Sequence, residues 1–194
     1  MASKVVGKAK KKDVVKIIHP PFLKTNIKAQ MASAAPPLGP QLGQRGLNVA
    51  NFCKDFNNKT AHIKPGALLP TRIYIKPDRT YDLEICAPMS TYLLKKAAGI
   101  NRAKQEPDEI AGYLSVKHIY EIAKVKSEDR ALKGIPLKEI CEMMVKTCRT
   151  CGIKVQREDL DPEVLGPFLE KRKEIVAQQL QAFADKKAAK MLRG

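Results

Sequence analysis

The sequence predicts an α+β protein: an N-terminal α/β unit built on an antiparallel sheet with a helix, then a three-helix unit, then a helical extension. Three observations carry that prediction. Between residues 20 and 86 apolar residues recur mainly with a period of two, around one helical segment. After "CAPMS" (86–90) the strand period gives way to a helical one. From Asp161 onward one long amphipathic pattern runs almost to the end. The expected divisions are a basic leader over 1–19, the α/β unit over 20–86, the three-helix unit over 87–157 and the extension over 158–194.

The elements follow in order. The first thirty residues hold eight lysines and one acid, Asp13. Such a leader reads as a basic arm lying against RNA, or as an import leader without the Arg and Ser richness of a transit peptide. "FLKTNIKAQM" (22–31) alternates and predicts a strand. "APPLGPQLGQRGLN" (35–48) reads as a proline-stiffened loop and contains no Asp, Glu, His, Cys or Ser. Asn48 caps a helix carrying Val49, Phe52, Cys53 and Phe56 on one face. "LPTRIYIK" (69–76) and "TYDLEI" (80–85) alternate on either side of the turn "KPDRT", which predicts a hairpin with Tyr81, Leu83 and Ile85 inward.

In the second unit Ser90 or Thr91 is expected to cap a short helix, "TYLLKKAAG", that stops at Gly99. "INRAKQEPDE" (100–109) predicts a mobile loop. A helix over 115–129 turns Val116, Ile119, Ile122 and Ala123 inward. The next helix runs from Pro136 to Gly152 with Leu137, Ile140, Cys141, Met144, Val145 and Cys148 as its apolar stripe. "IKVQ" (153–156) predicts a short strand. Asp161-Pro162-Glu163 starts the last helix, whose apolar positions include Leu165, Phe168, Leu169, Ile175, Val176, Leu180 and Phe183. A helix with such a face needs a docking surface.

Composition narrows the function. The formal net charge is +16 and the pI about 9.7, a surface suited to a polyanion. No run of eighteen apolar residues exists to span a membrane. No nucleophile elbow, zinc-protease helix or phosphate loop is present, so no enzyme and no cofactor are predicted. Cys148 and Cys151 form a C-x2-C pair, but without a second pair, and with His19, His62 and His118 scattered, they read as core residues rather than metal ligands. A redox or RNA-modifying enzyme using these thiols is the alternative. A peripheral membrane protein using the tail helix is another, disfavoured by a polar face that mixes Glu with Lys.

Two basic helix ends point to RNA. Lys146, Arg149 and Thr150 share a face, with Thr147 beside them and Gly152 closing the helix. Lys and Arg suit phosphates, and threonine hydroxyls suit 2′-hydroxyls or phosphate oxygens. Lys95 and Lys96 precede Ala97, Ala98 and Gly99, small residues that permit close approach. With aromatics at 5%, contact with folded RNA fits better than base stacking on single strands.

"PPLGPQLGQRGLNVANFCKDFNNKT", "KPDRTYDLEI", "LLKKAAGI", "HIYEIAKVKSED" and "KTCRTCGIKV" resemble, in that order, the large-subunit ribosomal protein eleven family of the stalk base. The resemblance covers about residues 20–157. It implies a factor-facing N-terminal domain and a C-terminal domain on the GTPase-associated region of the large rRNA. The implied rRNA-binding residues are Lys95, Lys96, Gly99, Thr147, Arg149, Thr150 and Gly152. Pro36, Pro37 and Pro40 would line the cleft to the RNA where thiopeptides bind in bacterial members. Implied partners are the rRNA, stalk proteins and elongation-factor GTPases, with no metal, cofactor or membrane. The leader, the extension and the wording "KHIYEIA" look more like mitochondrial members, with a bacterial-type cytoplasm as the alternative.

Overall fold

The computed structural model describes residue 20 and residues 22–191. The basic leader expected over 1–19, with both of its readings, lies outside the described residues. Strands β1 (Phe22–Lys28), β2 (Leu68–Ile75) and β3 (Tyr81–Ile85) form an antiparallel sheet in the order β1-β2-β3. Alternation sets its faces as expected: Leu69, Thr71 and Ile73 are buried, while Tyr81, Leu83 and Ile85 pack on the same core. The hairpin turn closes where the Asp78 carboxylate accepts from the Thr80 amide at 3.0 Å and the Thr80 hydroxyl at 2.6 Å.

The proline-rich stretch is more ordered than the loop expected there. It contains helix α1 (Leu38–Gly43). Pro40 occupies the first turn, where backbone amides have no partner within the helix, so its missing N–H costs nothing. Leu38 and Leu42, four residues apart, bury one side. Gly39 has no room for a side chain, since a Cβ there would lie 2.2 Å from the Ala34 carbonyl oxygen. Helix α2 (Val49–Lys59) starts as its cap predicts: Asn48 Oδ1 accepts from the amides of Ala50 and Asn51 at 3.1 and 3.2 Å. Phe52, Cys53 and Phe56 bury its inner face against the sheet.

The second unit contains α3 (Ser90–Ala97), β4 (Gly112–Ser115), α4 (Val116–Ser127), α5 (Leu137–Cys151) and β5 (Ile153–Gln156). The three helices share a separate, aliphatic core that includes Leu94, Leu114, Ile119, Ile140 and Met144. Strand β4 was not expected; it pairs in parallel with β5, Gly112 opposite Ile153. Helix α3 begins one residue early, with Met89 at the cap position and no side-chain cap, so neither Ser90 nor Thr91 serves as one. The Met89 amide is held by the Leu68 carbonyl at 3.1 Å, which fixes the chain's entry into the helix. Val116 is exposed rather than inward, because the buried face of α4 is centred on Ile119, Ile122 and Ala123 and continues toward Lys126.

Both connections are bonded in place, the second of them against the expectation of a mobile loop. Linker 86–89 is tied to both units. The Cys86 amide donates to the Pro70 carbonyl, the Ala87 amide donates to Asp129 Oδ1 at 2.7 Å, and buried Lys126 reaches the carbonyls of Ala87 and Pro88 and the Asp129 carboxylate. Loop 100–111 is pinned rather than free: the Lys104 amide donates to the Cys151 carbonyl at 3.0 Å, and the Ala111 amide to the Gly152 carbonyl at 2.7 Å.

Helix α6 (Pro162–Met191) starts on Asp161, whose carboxylate accepts from the Glu163 amide at 3.0 Å. It docks on the second unit of its own chain. Leu169 joins that unit's core, and Phe168 meets Tyr113 edge-on at 4.9 Å. Its expected apolar stripe is only partly used: Ile175, Leu180 and Phe183 are exposed, and the buried residue is Arg172.

Because the two cores are separate, Phe56→Ala should destabilise the N-terminal unit by about 3–5 kcal/mol. Amide exchange is expected to accelerate in α2 and β2 while α5 keeps its protection; loss of protection in both units would show a shared core instead.

Candidate nucleic-acid interface

Helix α5 separates two chemistries. Its inner side buries Ile140, Met144, Cys148 and Cys151. Lys146, Arg149 and Thr150 stand exposed on the outer side at i, i+3 and i+4, with Thr147 half-buried beside them. Both threonines commit their protons to the helix: Thr147 Oγ1 donates to the Met143 carbonyl at 2.9 Å and Thr150 Oγ1 to the Thr147 carbonyl at 2.7 Å. A hydroxyl so engaged offers lone pairs outward. It suits a donor such as a 2′-hydroxyl better than a phosphate oxygen, which can only accept.

The end of α3 supplies the second basic patch. Lys96 is exposed and Lys95 half-buried. Gly99, at φ +68°, completes a Schellman end in which the Gly99 amide donates to the Lys96 carbonyl and the Ile100 amide to the Lys95 carbonyl. Ala97 is exposed, as a close-contact surface requires, whereas Ala98 is buried and its small size serves the core. Lys95, Lys96, Lys146 and Arg149 form no ion pair among the described residues.

The two ends lie on one edge of the unit. A Cβ at Gly112 would touch Ala98 and Ile100 at 3.2–3.3 Å, and Gly112 pairs with Ile153, the residue after Gly152. Gly152 itself (φ +77°) is not an open approach for RNA backbone. A Cβ there would lie 2.6 Å from Lys104 Cβ and 2.8 Å from the Glu109 carbonyl oxygen, so the protein's own loop uses that space.

Pro36, Pro37 and Pro40 are all exposed, on the N-terminal unit, around a cis Pro36–Pro37 bond and the start of α1. They belong to the N-terminal unit, whereas the cationic helix ends belong to the second.

Cys148 and Cys151 pack inside the second core. Burial, and then the neighbouring Cys151, push the Cys148 thiol up to about 12, which keeps it protonated and unreactive at neutral pH. Among the described residues no cluster of three or more His, Cys, Asp or Glu could hold a metal ion.

Sequence reasoning missed Glu109. Burial works to raise its pKa, but bonds from the Gln105 amide, Arg172, Gln179 and the Glu106 amide outweigh that and bring it down to about 2. No periodic pattern marks an acid in a polar loop, so only its partners reveal it.

Two family models match the chain: ribosomal protein L11, N-terminal domain, over residues 23–81, and ribosomal protein L11, RNA binding domain, over residues 86–155. The chain belongs to the ribosomal protein L11 family. L11 proteins are structural constituents of the ribosome, not enzymes, in keeping with the expectation from sequence. The first L11 match ends within β3, and the second takes in both basic helix ends. One relative, large ribosomal subunit protein uL11m of Caenorhabditis elegans, is 66% identical over 193 residues, 100% of this chain and 99% of its own. The uL11m of Drosophila melanogaster is 52% identical across 98% of each chain. The uL11 of Roseobacter denitrificans is 38% identical over 135 residues, which are 69% of this chain and 94% of its own. Helix α6 lies beyond both L11 family models.

The Glu109 carboxylate is more acidic folded than unfolded, so the stability it contributes is complete above its ordinary pKa of 4.5 and declines as pH falls toward about 2. The attachment of α6 to loop 100–111 is expected to loosen across that window and to stay unchanged near neutrality. The amide resonances of Gln105 and Glu106 should titrate accordingly in the native protein and lose that transition in Glu109→Gln.

Proposed function

We propose that this chain, a large-subunit ribosomal protein of the mitochondrial type with an RNA-binding domain, sits at the stalk base and grips the GTPase-associated region of the large rRNA. The observation that carries this reading is the pair of cationic helix ends on one edge of the second unit, which form no ion pair among the described residues. Lys95, Lys96 and Arg149 neutralise phosphates that folded RNA brings close together. Thr147 and Thr150 accept from ribose hydroxyls. Gly99 and Gly152 end the two helices, Gly152 by holding the loop between them. The names of the two full-length relatives support the mitochondrial ribosome as its location.

The N-terminal unit then faces the translation factors. Its proline surface around Pro36, Pro37 and Pro40 is stiff before any partner arrives, which lowers the ordering cost of each encounter. Elongation-factor GTPases and stalk proteins are the partners proposed for it, and a thiopeptide cleft would lie between these prolines and the RNA. Because linker 86–89 is bonded on both sides, any swing of this unit has to work against those bonds.

Arg149→Ala and Lys96→Ala are each expected to weaken binding to the isolated rRNA fragment by about 1–3 kcal/mol, the scale of hydrogen bonds to charged groups. Wild-type affinity should fall linearly with the logarithm of salt concentration, with a shallower slope for each variant. Unchanged affinity by calorimetry in both variants would refute the assignment.

A further inference from the structure

Helix α6 is attached to the edge that carries the basic helix ends, and the attachment runs through one carboxylate. Glu109 closes loop 100–111 on itself by accepting from the Gln105 amide at 2.5 Å. The same carboxylate accepts from two α6 side chains, Arg172 Nη1 and, at 2.9 Å, Gln179 Nε2. Arg172 is only 5% exposed, so this contact lies inside the α6–loop seam rather than in solvent. Further along, the Arg102 guanidinium of the loop lies 5.8 Å from the Phe183 ring of α6. On its other side the loop is bonded to the last two carbonyls of the α5 end, those of Cys151 and Gly152. At its start it follows Gly99, and Leu169 of α6 lies 3.5 Å from where a Cβ of Gly99 would be.

We infer that α6 acts as a splint: through Arg172 and Gln179 it holds Glu109, and through Glu109 it fixes loop 100–111 and thereby the spacing of the α3 and α5 ends that meet RNA. Arg172 and Gln179 are positioning residues and need not touch RNA. The physical basis is preorganisation. A polar loop with Pro107 and no regular structure gives up conformational freedom when it is ordered, and a loop already ordered by α6 spares the RNA complex that loss. The low folded pKa of Glu109 agrees with a carboxylate kept charged by these partners.

This inference rests on the RNA-binding reading of the α3 and α5 ends, and the test separates the two. Full-length wild-type protein and the variants Arg172→Ala, Arg172→Lys, Gln179→Ala, Arg149→Ala and Lys96→Ala would be titrated with a transcript of the GTPase-associated rRNA region. Hydrogen exchange at the Lys104 and Ala111 amides would be followed in each free protein. Arg172→Ala is expected to speed exchange at both amides and to weaken binding about tenfold, with partial recovery in Arg172→Lys. Gln179→Ala should do the same to a smaller degree, and it serves in place of Arg172→Ala should that variant fail to fold. Arg149→Ala should weaken binding while both amides stay protected. Faster exchange with unchanged affinity, or unchanged exchange in the α6 variants, would overturn the splint and leave the RNA reading standing. Unchanged affinity in Arg149→Ala together with Lys96→Ala would overturn the RNA reading itself.

Discussion

The arrangement of the second unit depends on one close approach, that of loop 100–111 to Gly152. The carbonyl of Glu109 and the side chain of Lys104 fill the volume that any other residue at 152 would need. Because they can, the loop's amides reach the carbonyls of Cys151 and Gly152, and β4 enters in register beside β5. That pairing places Gly112 against Ala98 and Ile100, and so brings the end of α3 to the edge where α5 ends. The left-handed backbone at 152 is within reach of glycine at little cost, and the missing Cβ supplies the space.

The charge on this edge is usable because the fold leaves it unspent. Among the described residues five acidic side chains form ion pairs, none of them with the cations of this edge. Glu84 meets Arg72 and Arg130, Asp82 meets Lys76, and Asp159 meets Lys117. Asp129 and Glu109 take the two buried cations, Lys126 and Arg172. A buried cation with its partner removed is costly, whereas an exposed cation keeps its hydration without one. The two buried pairs hold the linker and α6, while the cations at the α3 and α5 ends form no ion pair among the described residues.

Much of this was legible in the sequence, and the reasons are specific. The β2–β3 hairpin was readable because each strand alternates and Asp78 writes its own turn. Helix α5 was readable because its apolar stripe and its terminal glycine agree. Residues 95, 96, 146 and 149 could be placed at helix ends from spacing alone. What could not be read was long-range. The Glu109–Arg172 contact joins residues 63 apart. Strand β4 is four residues long and opens with glycine, too little for a period to show. Lys126 sits on the inner face of α4 where the pattern calls for an apolar residue, and the Asp129 carboxylate with the carbonyls of Ala87 and Pro88 explains it. Helix α1 was hidden because its prolines, which signal a loop, stand where a first turn tolerates them.

The inward-donating hydroxyls of α5 carry one more consequence. Thr147 and Thr150 hold their hydrogens inside the helix and turn only oxygen lone pairs outward. Deoxyribose has nothing to give such an oxygen, while every ribose does. Two side chains that simply satisfy their own helix would therefore also distinguish one nucleic acid from the other, without reading a single base.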